Sequence, residues 1–199
     1  MEINKSLLLD PTQYVDEVHK KNLIILHHTV GGSAKSTANY WKNDPKRIGT
    51  AFIIERDGTI YQMFPEDRWA YHVGSKIGND IDRRSIGIEL ASEGGLTENN
   101  GELYAFGIIS QRTKFTGPTF DLGYNWRGFR YFDVYDEAQI NSTIQLVAYL
   151  CDKYSIPKIL PKNATDYEEK YYAHKGIMGH AHVRADKSDV HPGFPWNRL

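Results

Sequence analysis

The stretch Thr50–Phe64, "TAFIIERDGTIYQMF", decides how the rest of the chain is read. Two apolar, β-branched runs flank Asp57-Gly58, a dipeptide suited to the positive φ angles of a tight hairpin turn. A β-hairpin at this point requires neighbouring strands, and the sequence supplies them on both sides. Upstream, "LIILHHTV" (Leu23–Val30) is a short apolar run ending on polar residues, as expected of a central strand buried on both faces. Gly31 and Gly32 break it. Ser33 or Ser36 can cap a following helix with Tyr40 and Trp41 on its apolar side, and Pro45 ends that helix. Downstream, "SIGIELA" (Ser85–Ala91) is a further strand. Ile140, Ile144, Val147, Leu150 and Tyr154 recur at helical spacing, predicting a helix from about Asp136 to Tyr154 that stops before Pro157. "GIMGHAHV" reads as the last strand, which puts His180 and His182 on one face.

The resulting order is strand, helix, hairpin, strand, insertion, helix, strand. The fold expected is α/β: a single domain over residues 1–199 with a central mixed β-sheet flanked by helices. The insertion, residues 93–133, is long, Gly-rich and aromatic, with Phe106, Phe115, Phe120, Tyr124, Trp126 and Phe129 among its side chains and a possible hairpin at "FRYFDVY". A loop of this length in a compact domain is often functional. A chain of 199 residues buries roughly 70% of its unfolded surface, enough for one sizeable core.

Composition narrows the chemistry. With 40% apolar and 25% charged residues the chain is globular, and a formal net charge of −1 gives no reason to expect nucleic acid. The single Cys151 excludes an intrachain disulfide and a Cys-rich metal site, so any metal must be held by His and carboxylate. No apolar run of about 18 residues exists to span a membrane. The N-terminal "MEINKSLLLDPTQY" lacks the apolar core of a secretory signal. The expectation is a protein made in the cytoplasm.

Three groups of residues carry candidate chemistry. His27 and His28 end the first strand; adjacent strand residues face opposite ways, so one of them can reach a metal while both are equally readable as packing residues. "GHAHVRADKSDVHPGFPW" (Gly179–Trp196) adds His180, His182, Asp186, Asp189 and His191, which favours a metal with three protein ligands and an open position. Glu89, inside an apolar strand between Gly87 and Ala91, is costly there unless paired or functional; the other reading is an edge strand with Glu89 in solvent. "WAYHVGS" places Trp69 and His72 on a loop before a glycine, where a surface aromatic cluster is an equal reading.

Together, "IILHHTV", "AFIIERDGTIYQMFPEDRWAYHVG", "RRSIGIEL" and "GHAHVRADKSD…PGFPW" resemble the zinc-dependent N-acetylmuramoyl-L-alanine amidases of the type-2 family. That family includes phage endolysins, anhydromuropeptide amidases and animal peptidoglycan-recognition proteins. The motifs keep the family's order and span Leu23 to Trp196; residues 93–133 have no clear counterpart. The resemblance implies Zn²⁺ held by His27, His180 and Asp189, with Glu89 as general base and Lys187 on the oxyanion. It implies substrate-side roles for His72, Trp69 and Thr50, a peptidoglycan or muropeptide substrate, a monomer, and action at the cell wall or periplasm after release or delivery.

The sequence departs from the family twice. Thr50 stands where a tyrosine is found in one branch, which favours the Glu89 mechanism. "VH" separates Asp189 from Pro192-Gly193, so adjacency to Pro-Gly selects His191 as third ligand while spacing from Lys187 selects Asp189. Asp189 keeps the ungapped match and is preferred. His28 is then structural, Asp186 solvated, and Trp126, Tyr124 or Phe129 could wall a groove. A non-catalytic peptidoglycan-binding module and a zinc hydrolase of another amide are the competing readings.

Overall fold

The computed structural model describes residues 1–105, 113–163 and 166–199; part of the insertion, including Phe106, lies outside the described residues. Among them the hairpin forms as the turn chemistry demands. Strand β2 (Phe52–Ile54) pairs antiparallel with β3 (Ile60–Gln62). The turn closes through Gly58 N donating to Glu55 O at 2.9 Å and Asp57 Oδ1 accepting from Thr59 N at 2.8 Å. Gly58 has φ +87°, a value that its neighbours' side chains would resist.

The main sheet is completed by β1 (Leu23–His28), β4 (Ser85–Leu90) and β9 (Gly176–Gly179), in the order β3-β2-β4-β1-β9. All neighbours except β2–β3 are parallel. Central β1 is buried at every position, as its unbroken apolar run requires. Its alternation divides the core in two. Ile24 and Leu26 face a large cluster with helix α1 (Ala34–Asn43) and helix α3 (Glu137–Tyr154). Leu23 and Ile25 face a smaller one with Val73, Ile81, Met178, Tyr171 and Val183. The two long helices therefore cover one face. The other is covered by loops, short 3-10 turns and the five-residue helix α2 (Asp80–Arg84).

Helix boundaries follow local signals. Ser33 caps α1, accepting from Ser36 N at 3.2 Å. Helix α3 ends at Ser155, which takes the left-handed conformation (φ 53°) ahead of Pro157. The last strand is shorter than the sequence pattern suggests: β9 stops at Gly179, and His180–His182 forms a 3-10 turn. His180 and His182 consequently do not share a face.

The insertion is a sheet of its own, not a long loop. Strands β5 (Gly95–Asn99), β6 (Glu102–Tyr104), β7 (Thr119–Trp126) and β8 (Phe129–Asp133) form an antiparallel sheet in the order β6-β5-β8-β7. "FRYFDVY" is not a hairpin by itself: it supplies strand β8, which pairs antiparallel with β7 upstream. Trp126, Phe132, Phe120, Leu122 and Phe129 pack it onto Ala181, beside the end of β9.

At Gly58 an added Cβ would sit 2.8 Å from Ala138 O and 2.9 Å from Ser142 Oγ, in a backbone conformation already unfavourable for L residues. Gly58→Ala is expected to cost about 1–3 kcal/mol of folding stability. Urea denaturation checks this; an unchanged midpoint would mean that the hairpin does not need this turn.

Candidate metal centre and active site

In a parallel sheet the strands' carboxyl ends open onto a crevice where ligands bind. Here β1, β4 and β9 deliver a candidate residue each at that end. In the β1–β4 register His27 lies opposite Glu89, and His180 follows the last residue of β9. A cavity of about 460 Å³ opens there, lined by residues that include His27, His28, His72, Glu89, His180, Lys187 and Asp189.

Three ligand atoms converge in it. His27 Nδ1 lies 3.1 Å from His180 Nδ1, and each lies 3.0 Å from Asp189 Oδ2. All three residues are buried. The hydrogen-bond network fixes which nitrogens carry protons. Ser85 Oγ donates its one proton to Ile81 O at 2.6 Å, so it must accept from His72 Nε2–H at 2.9 Å. His72 Nδ1 is then bare and accepts from His27 Nε2–H at 2.9 Å, leaving His27 Nδ1 as a lone pair. At the other side His180 Nε2–H donates to Val73 O at 2.9 Å, leaving His180 Nδ1 bare as well.

Two imidazole lone pairs and a carboxylate oxygen thus point at one spot and repel unless a cation sits among them. A tetrahedral ion with bonds of about 2.0–2.1 Å holds its ligands about 3.3 Å apart, close to the separations found. His₂Asp with no sulfur is a donor set that suits zinc. Burial holds the His27 imidazole neutral, its pKa lowered to about 4.

Glu89 stands beside this cluster. Its Oε2 is enclosed and has no hydrogen-bond partner. Burial, with the charge of Asp189 adding, pushes its carboxyl well above the ordinary value; Lys187 works against the shift. An edge-strand Glu in solvent is thereby excluded. Gly87, two residues before it, leaves no open space: a Cβ there would meet Thr50 Cγ2 at 2.7 Å and His72 Nδ1 at 3.1 Å.

The remaining residues separate by surroundings. His191 does not join the ligand atoms. It stacks on Tyr135 (centroids 4.4 Å) and Phe132 (4.8 Å), and Nε2 donates to Asp133 O at 3.1 Å. Burial pushes its pKa down to about 3. His182 turns away, donating from Nε2 to Asn163 O at 2.9 Å. His28 places Nδ1 2.9 Å from Tyr135 Oη, a packing partner on the other face of β1. Asp186 is exposed and paired with Arg184 at 2.6 Å.

The three residues expected on the substrate side do not stand there together. Thr50, two residues before β2, is 1% exposed and donates to Phe52 O at 2.9 Å; its methyl packs against Gly87 and it does not line the cavity. Trp69 is buried against Tyr71, His19 and Arg83. His72 lines the cavity, but both of its ring nitrogens are committed to His27 and Ser85. Its placement depends on two charged residues that sequence reasoning missed. Asp82 Oδ1 accepts from His72 N at 3.0 Å and Val73 N at 2.9 Å. Lys21 Nζ donates to Arg68 O and Arg83 O at 2.7 Å and Ser85 O at 3.0 Å. Asp82 lies in the first turn of α2, and nothing local in the sequence marks Lys21 as buried.

An α/β domain with a His₂Asp centre and an unpaired glutamate at the carboxyl end of a parallel sheet is the architecture of a metal-dependent hydrolase. A sequence model of the family described as N-acetylmuramoyl-L-alanine amidase matches residues 17–194, and the chain belongs to that family. The amidase CwlA of Bacillus subtilis (strain 168) is 29% identical over 101 residues, covering 49% of this chain and 37% of CwlA. The match therefore spans just over a third of that curated relative's length. Among solved structures, PlyL is similar with a TM-score of 0.55 at 19% identity, over 94% of this chain and 86% of PlyL. AmiD from E. coli, solved with anhydro-N-acetylmuramic acid-L-Ala-D-gamma-Glu-L-Lys, gives a TM-score of 0.57 at 18% identity, over 92% of this chain and 58% of AmiD.

Substituting His72 by Phe removes the acceptor that orients His27. The expected outcome is a roughly 10- to 100-fold loss of zinc affinity, read by chelator competition. His72→Gln, which can accept and donate in the same directions, should recover much of it. Equal affinity in His72→Phe and the unaltered protein would show that the relay does not orient His27.

Proposed function

We propose that this protein hydrolyses the amide between the lactyl group of N-acetylmuramic acid and the L-alanine of a peptidoglycan stem peptide, acting at the cell wall. The observation that carries the reading is the enclosed, unpartnered Oε2 of Glu89 beside three converging ligand atoms. A buried carboxylate without a partner is costly, and its position next to a hydrolytic metal's ligand set gives it work to do. Family membership supports the amide substrate, and the AmiD complex supports a muramoyl peptide as the substrate class.

His27, His180 and Asp189 would hold zinc, whose chemistry when bound is to polarise the scissile carbonyl and acidify water. Glu89, whose side chain lines the cavity, accepts the proton of the attacking water on its carboxylate and delivers it to the departing alanine amine. Its raised proton affinity suits a group that must both take and give a proton. Lys187, on the cavity wall, offers its ammonium to the oxyanion of the tetrahedral intermediate. His72 and Val73 O hold the two imidazoles in the orientation that binding needs.

Purified peptidoglycan incubated with the protein should release new L-alanine amino groups. Glu89→Gln should lower that rate by at least about 100-fold while zinc content stays unchanged. Asp189→Ala is expected to lose zinc and His191→Ala to keep it, measured by metal analysis after dialysis. Zinc bound without any new amines would replace this reading with a peptidoglycan-binding module. Release from bare stem peptide at the same rate would replace it with a general peptide hydrolase.

A further inference from the structure

The insertion adds a feature to the cavity that the hydrolytic machinery does not use. Glu93, at its start, lines the cavity, as do Gly95, Phe129 and Val30. The Glu93 backbone is pinned: its N donates to Asp133 Oδ2 at 2.7 Å. Its carboxylate lies against the turn after β1, where a Cβ on Gly32 would meet Oε1 at 3.1 Å. Among the described residues those carboxylate oxygens make no hydrogen bond or ion pair. Arg56, a cation whose charge reaches Glu93, is already engaged by Asp133 and Asp136.

The apolar side of the same wall is built by close approach. A Cβ on Gly95 would sit 2.3 Å from Phe129 Cγ, so only glycine lets that ring lie flat on the strand at the cavity. Val30 is 43% exposed and held at φ 50°, a strained position for a β-branched residue. Thr29 Oγ1 helps to hold it there, donating to Gly31 O at 2.7 Å. An aromatic face, an exposed aliphatic side chain and a fixed, unpaired carboxylate on one wall match a primary ammonium on an alkyl stem. The stem packs on apolar surface and the charge meets carboxylate and ring.

Resting on the amidase reading, we infer that the Glu93–Phe129 wall is a subsite for the side-chain ammonium of a lysine-type stem residue. The enzyme then prefers stem peptides whose diamino acid is free over those in which that amine is acylated, as in cross-linked wall. This goes beyond catalysis: it makes the insertion a reader of cross-link state.

The test uses muramoyl-L-Ala-D-γ-Glu-L-Lys and the same compound N-acetylated on the lysine ε-amine. The full chain should cleave the free-amine compound with about tenfold higher kcat/KM, the size expected of an ion pair plus a cation–π contact. Glu93→Gln should lower the ratio to about twofold, the part left to the Phe129 contact, by losing rate on the free-amine compound alone. Affinities of both compounds for the Glu89→Gln protein, with and without Glu93→Gln, give the same ratio without turnover. If neither compound is cleaved by the unaltered chain, the amidase reading falls, and the affinity ratio still decides the subsite. Equal treatment of the two compounds by the unaltered chain, or a preference left undiminished by Glu93→Gln with the melting temperature unchanged, would overturn the subsite.

Discussion

The register of β1 against β4 is the constraint on which the rest depends. It sets buried His27 opposite half-buried Glu89 at the carboxyl end of the sheet. A slip of one residue would turn His27 to the helix-covered face and bring His28 toward His180. The register is secured because β1 is apolar on both faces, with Ile24 and Leu26 locked against α1 and α3, and Leu23 and Ile25 against the loop side. Such a strand has no solvent face to slip towards. The site is therefore precise because the strand that bears it is buried at every position.

A second tier of contacts turns that placement into orientation. The carbonyls of Ile81 and Val73 accept hydrogen bonds and cannot donate, so the tautomer of each imidazole is fixed from outside inward. Asp82 and Lys21 hold the segments that carry those carbonyls and His72. The opening hairpin reaches the same region by another route. Arg56 in its turn pairs with Asp133 at the end of β8, and Asp133 in turn holds Ser92 and Glu93 N. The insertion is thus anchored to the sheet through a buried carboxylate, which keeps Glu93 and Phe129 at the cavity.

Much of this was legible in the sequence, and what was not has a physical explanation. Turn chemistry at Asp57-Gly58, the Ser33 cap and the spacing of Ile140, Ile144 and Val147 are local signals, and the corresponding elements form. Of the three residues expected to bind metal, His27 ends β1 and His180 follows β9, adjacent strands, while Asp189 joins them from a loop whose backbone O accepts from Ala181 N at 2.6 Å. Thr50, Trp69 and His72 were harder. Their roles depend on which side of Gly87 and α2 they pack, and that is decided by contacts between segments distant in sequence. His182 was misjudged because the apolar run "GIMGHAHV" continues smoothly while the backbone tightens into a 3-10 turn after Gly179. The insertion hid a four-stranded sheet because its strands alternate exposed and half-buried positions, leaving little apolar patterning to read.

The charge balance of the site argues for what occupies it. Asp189 and Glu89 are two carboxylates brought into one low-dielectric space, while His27, His72 and His191 are all held neutral by burial. Lys187 is partly exposed and supplies one positive charge at the wall. Taking uncompensated carboxylates out of water costs several kcal/mol each. A divalent cation among the ligand atoms would neutralise Asp189 and lower the cost of ionising Glu89. The same group that needs the cation for stability is then set to exchange a proton beside it, so the expense of burying Glu89 and its usefulness as a base have one origin.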